Sequence, residues 1–177
     1  FVGGTGFKDI DFPGGIVGSS KRQQFQNLEM YQNVIDPQSY WPHVKCPVAF
    51  ITSSNDFHST FERIYRSMDL LPHNDWRVSS NVHYNHGPGR EEWAVLNLWF
   101  KKYLGDEPIV IPETSPSNFF IDDGIATFSV SPKAIDRLAG VKIYYSYDPN
   151  SRTRFWQYAE AKKSDNTWTA KIPVYPK

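Results

Sequence analysis

The first 26 residues show little periodicity and are rich in Gly, Ser and Asp, which predicts a strand end followed by a long loop. From Asn27 the apolar positions Leu28, Met30, Tyr31, Val34 and Ile35 recur at three- and four-residue spacing, so a short helix is expected up to Asp36. Pro37 suits the first position of a second turn, which Ser39-Tyr40-Trp41 completes. The run from Cys46 to Thr52 carries no charge, as a strand covered on both faces does. Between about Thr60 and Leu71, Phe61, Ile64, Met68 and Leu71 share one helical face while Glu62, Arg63 and Arg66 lie on the other. A second apolar run, 76 to 80, reads as a strand. Gly89 to Leu104 shows the strongest helical period, with Trp93, Leu96, Phe100 and Tyr103 on one stripe and Trp99 and Leu104 beside it, and that stripe is expected to be core.

Beyond Leu104 the pattern changes. Pro108, Pro112 and Pro116 punctuate an extended segment, 106–116, that reads as an interdomain linker. After it come period-2 runs at 118–121, 125–130, 141–147, 154–161 and 168–174, separated by Asp/Asn/Gly/Ser turns, which predict a partial antiparallel β-sandwich over 117–177, immunoglobulin-like. Alternation places Val141, Ile143, Tyr145 and Tyr147 on its core face and Tyr144 outside.

Composition narrows the partners. Lys+Arg and Asp+Glu each number 19, so there is no net charge and no basic stripe, and nucleic acid is not an expected partner. No apolar run has the length of a membrane span. One cysteine, Cys46, leaves no internal disulfide, and compartment stays open, with the periplasm or exterior the favoured side. Aromatics at 16% suit sheet faces and cores, and also carbohydrate contact, for which Arg152, Arg154, Trp156 and Trp168 are the surface candidates.

The candidate chemistry sits at the ends of the two central strands. In an open parallel sheet, ligands bind off the carboxyl ends of the strands, so Asp56 after the first run would converge with His83 or His86 after the second. A carboxylate there can hold an imidazole in one tautomer, or it can cap the following helix. Asp56, His58, His83 and His86 are also a conceivable zinc set, but no spacing fixes such a geometry, and no metal or cofactor is expected.

The order strand, Asp56, helix, strand, His86, with Asn85-His86-Gly87-Pro88-Gly89 leading into Leu96-Asn97-Leu98-Trp99-Phe100-Lys101-Lys102-Tyr103-Leu104, resembles the C-terminal half of an α/β-hydrolase. Within that superfamily it looks most like the acetylxylan-esterase-like and dienelactone-hydrolase-like branch. The resemblance covers 1–105 and implies an α/β fold with a parallel sheet and flanking helices. It also implies that His86 is the general base, His83 the alternative, and Asp56 its orienting acid. Phe7, Phe12, His58 and Tyr84 would then line the substrate pocket. The family's nucleophile stands on a G-x-S-x-G elbow, and no serine of these 177 residues has that frame, so the serine is expected upstream or on a partner chain, and the chain reads as part of a longer polypeptide. The expected substrate is a carboxylic or acetyl ester, of a small molecule or of an acylated polysaccharide. The rival readings are an inactive hydrolase-like binding subunit and a peptidase of the prolyl-oligopeptidase type.

Overall fold

A computed structural model describes residues 28–34, 36–56, 60–106, 108–111, 117–133 and 138–175. The chain divides into two compact units, Phe1–Asn97 and Leu98–Lys177. The first contains helix α1 (Leu28–Val34), two 3₁₀ turns (Pro37–Ser39 and Trp41–His43), strand β1 (Val48–Ser53), helix α2 (Phe61–Asp69) and strand β2 (Trp76–Asn81). Helix α3 (Arg90–Leu104) crosses the division between units. The second unit then holds β3 (Asn118–Asp122), β4 (Ile125–Val130), β5 (Lys142–Tyr145), β6 (Gln157–Glu160), β7 (Lys162–Ser164) and β8 (Thr167–Pro173).

In the first unit β1 and β2 pair in parallel, with Val48 opposite Trp76 and Ser53 opposite Asn81. Such a pair requires a crossover, and α2 supplies it. The helix buries Ile64, Ser67 and Met68, and the Ser67 hydroxyl donates back to the Arg63 carbonyl at 2.9 Å. Ile64 and Met68 meet Trp41, Val48 and Phe50 in one core, closed at its edge by Val44, Leu71, Trp76 and Val78. Trp41 and Phe50 rings lie 5.4 Å apart, tilted by 54°, a favourable aromatic arrangement. Trp41 reaches that position through Asp36, whose Oδ1 accepts from the Gln38 N–H at 3.0 Å and starts the first 3₁₀ turn.

In the second unit six antiparallel strands form two sheets. The larger runs β3-β4-β8-β7 and the smaller pairs β5 with β6. Asp123 and Gly124, both at positive φ (42° and 69°), make the two-residue connection of β3 and β4, as the twist of a tight hairpin demands. Val130, Ala161, Trp168 and Ala170 are the buried centre, with Phe128, Val141, Ile143 and Ala159 against them. Val141 and Ile143 therefore face the core, whereas Tyr147 is exposed and donates its hydroxyl to the Pro173 carbonyl.

The fold is thus mostly β, which corrects the expected α/β-hydrolase half. Of the eight described strands only two are parallel, and they form a sheet of two. The three α-helices among the described residues span 7, 9 and 15 residues. An uncharged run such as 48–52 reports that a strand is covered, but carries no information on how many strands lie beside it. The antiparallel strands expected over 117–177 are present, as a four-stranded sheet and a two-stranded ribbon that share one core. Helix α3 departs as well: Trp93, Phe100 and Leu104 are exposed, and the buried residues are Glu92 and Trp99, seven apart on another face. Trp168, a candidate for a sugar-binding surface, is core.

Phe50 is fully buried at the centre of the first core. Phe50→Ala should destabilise the first unit by about 3–5 kcal/mol, read as the shift of its transition in urea; a loss below about 1 kcal/mol would show that this core does not hold the unit together.

Candidate functional site

The β1–β2 pairing does not stop at the last strand residues. Ser54 N–H donates to the Asn81 carbonyl at 2.9 Å, and Asn55 N–H donates to the Tyr84 carbonyl at 3.0 Å. Side chains continue the stitching: the Ser54 hydroxyl accepts from His83 N–H at 2.8 Å and donates to Asn55 Oδ1 at 2.7 Å, while the Ser53 hydroxyl donates to the Gly87 carbonyl. Residues 53–56 and 81–87 are therefore tied strand end to strand end. Ser53, Ser54, Asn55 and Asp56 are all buried, and buried polar groups persist where hydrogen bonds meet them.

At the far end of this zip the Asp56 carboxylate meets the His86 imidazole, with Oδ2 3.1 Å from Nδ1. Asp56 is 1% exposed, whereas the His86 side chain is 47% exposed. An ionised carboxylate only accepts, so this contact favours the tautomer that carries the proton on Nδ1, in which Nε2 is the basic nitrogen. Asp56 does not serve as the N-cap of α2, a position taken by Thr60. The buried acid beside a solvent-reachable imidazole is an arrangement that can take up and return a proton at Nε2.

Backbone conformation separates the two histidines. His83 sits at φ 68°, in the left-handed region, and its main-chain N–H is the group engaged by Ser54. That conformation is costly for a residue with a Cβ and persists where its surroundings impose it. His86 is followed by Gly87 at φ 84°, where the chain turns back. Tyr84, expected to line a pocket, is exposed between the two histidines. Phe7, Phe12, Phe25 and His58 lie outside the described residues, as do Glu107 and 112–116 of the proline segment.

Sequence reasoning singled out Asp56 and both histidines but missed the residues that hold them. Ser53 and Ser54 read as part of a polar turn, and nothing in their spacing announces a bond to a loop about thirty positions on. Glu92 had a usable signal. It stands three residues after Gly89, the spacing at which a side chain in the first helical turn reaches back to the capping N–H, and its Oε2 accepts from Gly89 N–H at 3.0 Å.

Among the described residues no group of three or more His, Cys, Asp or Glu side chains is placed to hold a metal ion, and no helix is long and apolar enough to cross a membrane. A cleft of about 490 Å³ in the second unit is lined by Ala139, Gly140, Val141, Lys142, Glu160, Ala161 and Trp168. Its one indole N–H is itself sealed from solvent. No family model, no curated protein and no solved structure matches the chain.

The strained φ at residue 83 gives a direct check. His83→Gly should leave stability unchanged or raise it by up to about 1 kcal/mol, whereas His83→Val should cost about 1–2 kcal/mol, because only glycine adopts this conformation freely. Urea unfolding of both variants measures the difference; equal stabilities would mean that residue 83 is not held at positive φ.

Proposed function

We propose that Asp56 and His86 are the acid and base of a serine-type ester hydrolysis, with the nucleophilic hydroxyl supplied from outside these 177 residues. The observation that carries this reading is the 3.1 Å contact between a buried carboxylate and Nδ1 of a half-exposed imidazole. The reading rests on that pair and not on the architecture around it. The zip between 53–56 and 81–87 supports it further, because a base acts efficiently only when held in a near-attack geometry.

In this chemistry His86 Nε2 removes the serine proton as the oxygen bonds to the ester carbonyl carbon. The imidazolium so formed is stabilised by Asp56, and it returns the proton to the alcohol oxygen as the ester C–O bond breaks. Water then repeats the sequence on the acyl intermediate: His86 takes its proton, the acid leaves, and the serine is regenerated. A carboxylic or acetyl ester is the substrate class this chemistry serves, with an acylated carbohydrate as one form of it. His83 is assigned a structural role through its main chain.

The test is hydrolysis of p-nitrophenyl acetate by the native protein and two variants. His86→Ala should lower kcat/KM by about a hundred- to ten-thousand-fold, the range for loss of a general base, while His83→Ala stays close to wild type. Unchanged hydrolysis in His86→Ala, or a loss confined to His83→Ala, would overturn the assignment.

A further inference from the structure

The segment that carries His86 leaves β2 at Asn81 and enters α3 after Gly89, and its two ends are locked against each other. Gly89 is buried, and a Cβ built on it would stand 1.6 Å from Asn81 Nδ2 and 2.7 Å from Asn81 Cγ. The Asn81 amide therefore occupies the space that a side chain at 89 would need. From the helix side, Glu92 Oε2 accepts the Gly89 N–H at 3.0 Å and would lie 3.0 Å from that same Cβ. Residues 82–88 thus form a loop pinched at its base by an amide, a glycine and a carboxylate.

Burial makes Glu92 unlike an ordinary helix cap. Capping side chains do their work at the surface, where a Ser, Asp or Asn is hydrated and contributes of order 1 kcal/mol. Glu92 is 3% exposed. Withdrawing a carboxylate from water costs several kcal/mol, far more than one capping bond returns, so the position is poorly explained by helix stability alone. What the buried carboxylate specifies is where Gly89 sits, and Gly89 is three residues from His86. On the other side of the loop, the Ser53 hydroxyl fixes the Gly87 carbonyl.

We infer that Glu92 is a positioning residue for His86: by anchoring Gly89 it sets the register of the 82–88 loop and so holds Nδ1 on the Asp56 carboxylate. The inference rests on the reading of Asp56 and His86 as acid and base. At 3.1 Å the pair is already near the long end of hydrogen-bond distances, so a loop released by about 1 Å would break it. His83 is held separately, through its main-chain N–H on the Ser54 hydroxyl.

The experiment is two-bond ¹H–¹⁵N NMR of the histidine rings, which reports which imidazole nitrogen carries the proton, recorded on the full chain with Gly89 amide exchange alongside. Wild-type His86 should be held as the Nδ1–H tautomer. In Glu92→Ala, His86 should revert to a mixture rich in Nε2–H, and Gly89 exchange should accelerate about tenfold, as for one lost main-chain bond. Glu92→Gln, which keeps an acceptor oxygen, should restore both, and His83 should be unchanged throughout. A His86 that stays Nδ1–H in Glu92→Ala while Gly89 exchange accelerates would reduce Glu92 to a helix cap and overturn the inference, leaving the acid–base reading intact. A wild-type His86 without the Nδ1–H tautomer would remove both. Should Glu92→Ala fail to fold, Glu92→Asp withdraws the carboxylate from Gly89 by one methylene, and an Nδ1–H population equal to wild type in that variant would equally overturn it.

Discussion

A carboxylate sealed from water must be met by hydrogen bonds, and the placing of Asp56 obliges the chain around it to provide them. Asp56 lies just past the end of a strand buried at all positions but Ala49, its carboxylate meets His86, and the segment carrying that histidine is drawn across the end of β1. Ser53, Ser54 and Asn55, all buried, each bond to the 81–87 segment or to one another. Releasing the segment would leave several buried polar groups unmet at once, each costing of order 1–3 kcal/mol. The contact is therefore held in place by many bonds.

The core beneath explains why so small a parallel sheet can carry this load. β1 and β2 alone would be a weak platform, since two strands without a packed face are marginal in water. Phe50, Ile64, Met68 and Trp41 supply the face, and α2 fixes the crossover that makes the strands parallel. Both strand ends then point their polar residues the same way. That geometry brings Asp56 and His86 together at the carboxyl ends of the strands even though the sheet has only two of them.

Local features of the chain were legible because local physics sets them. The uncharged run at 48–52, the 3.6-residue period of α2 and the alternation before and after Asp123-Gly124 each produced the element they predict. Asp56 and His86 were legible as strand-end residues, and the choice between the two histidines came from the resemblance to hydrolases whose histidine precedes a Gly/Pro loop. What was not legible is set by distant chain. Trp93 and Phe100 have the spacing of a core stripe yet are exposed, while Glu92 and Trp99 are buried, because periodicity names a face without naming what covers it. The size of the parallel sheet was taken from resemblance and proved too large. The Ser53 and Ser54 bonds depend on a side chain meeting a main chain some thirty residues away, and no one-dimensional pattern records that.

The proposed acid and base must act as one unit, and a double-mutant cycle on ester hydrolysis by the native protein tests this directly. Asp56→Asn should lower kcat/KM, and Asp56→Asn with His86→Ala should lower it no further than His86→Ala alone, because the carboxylate works solely through the imidazole. Losses that multiply in the double variant would show that Asp56 and His86 act separately and would contradict the pair as the centre of this site.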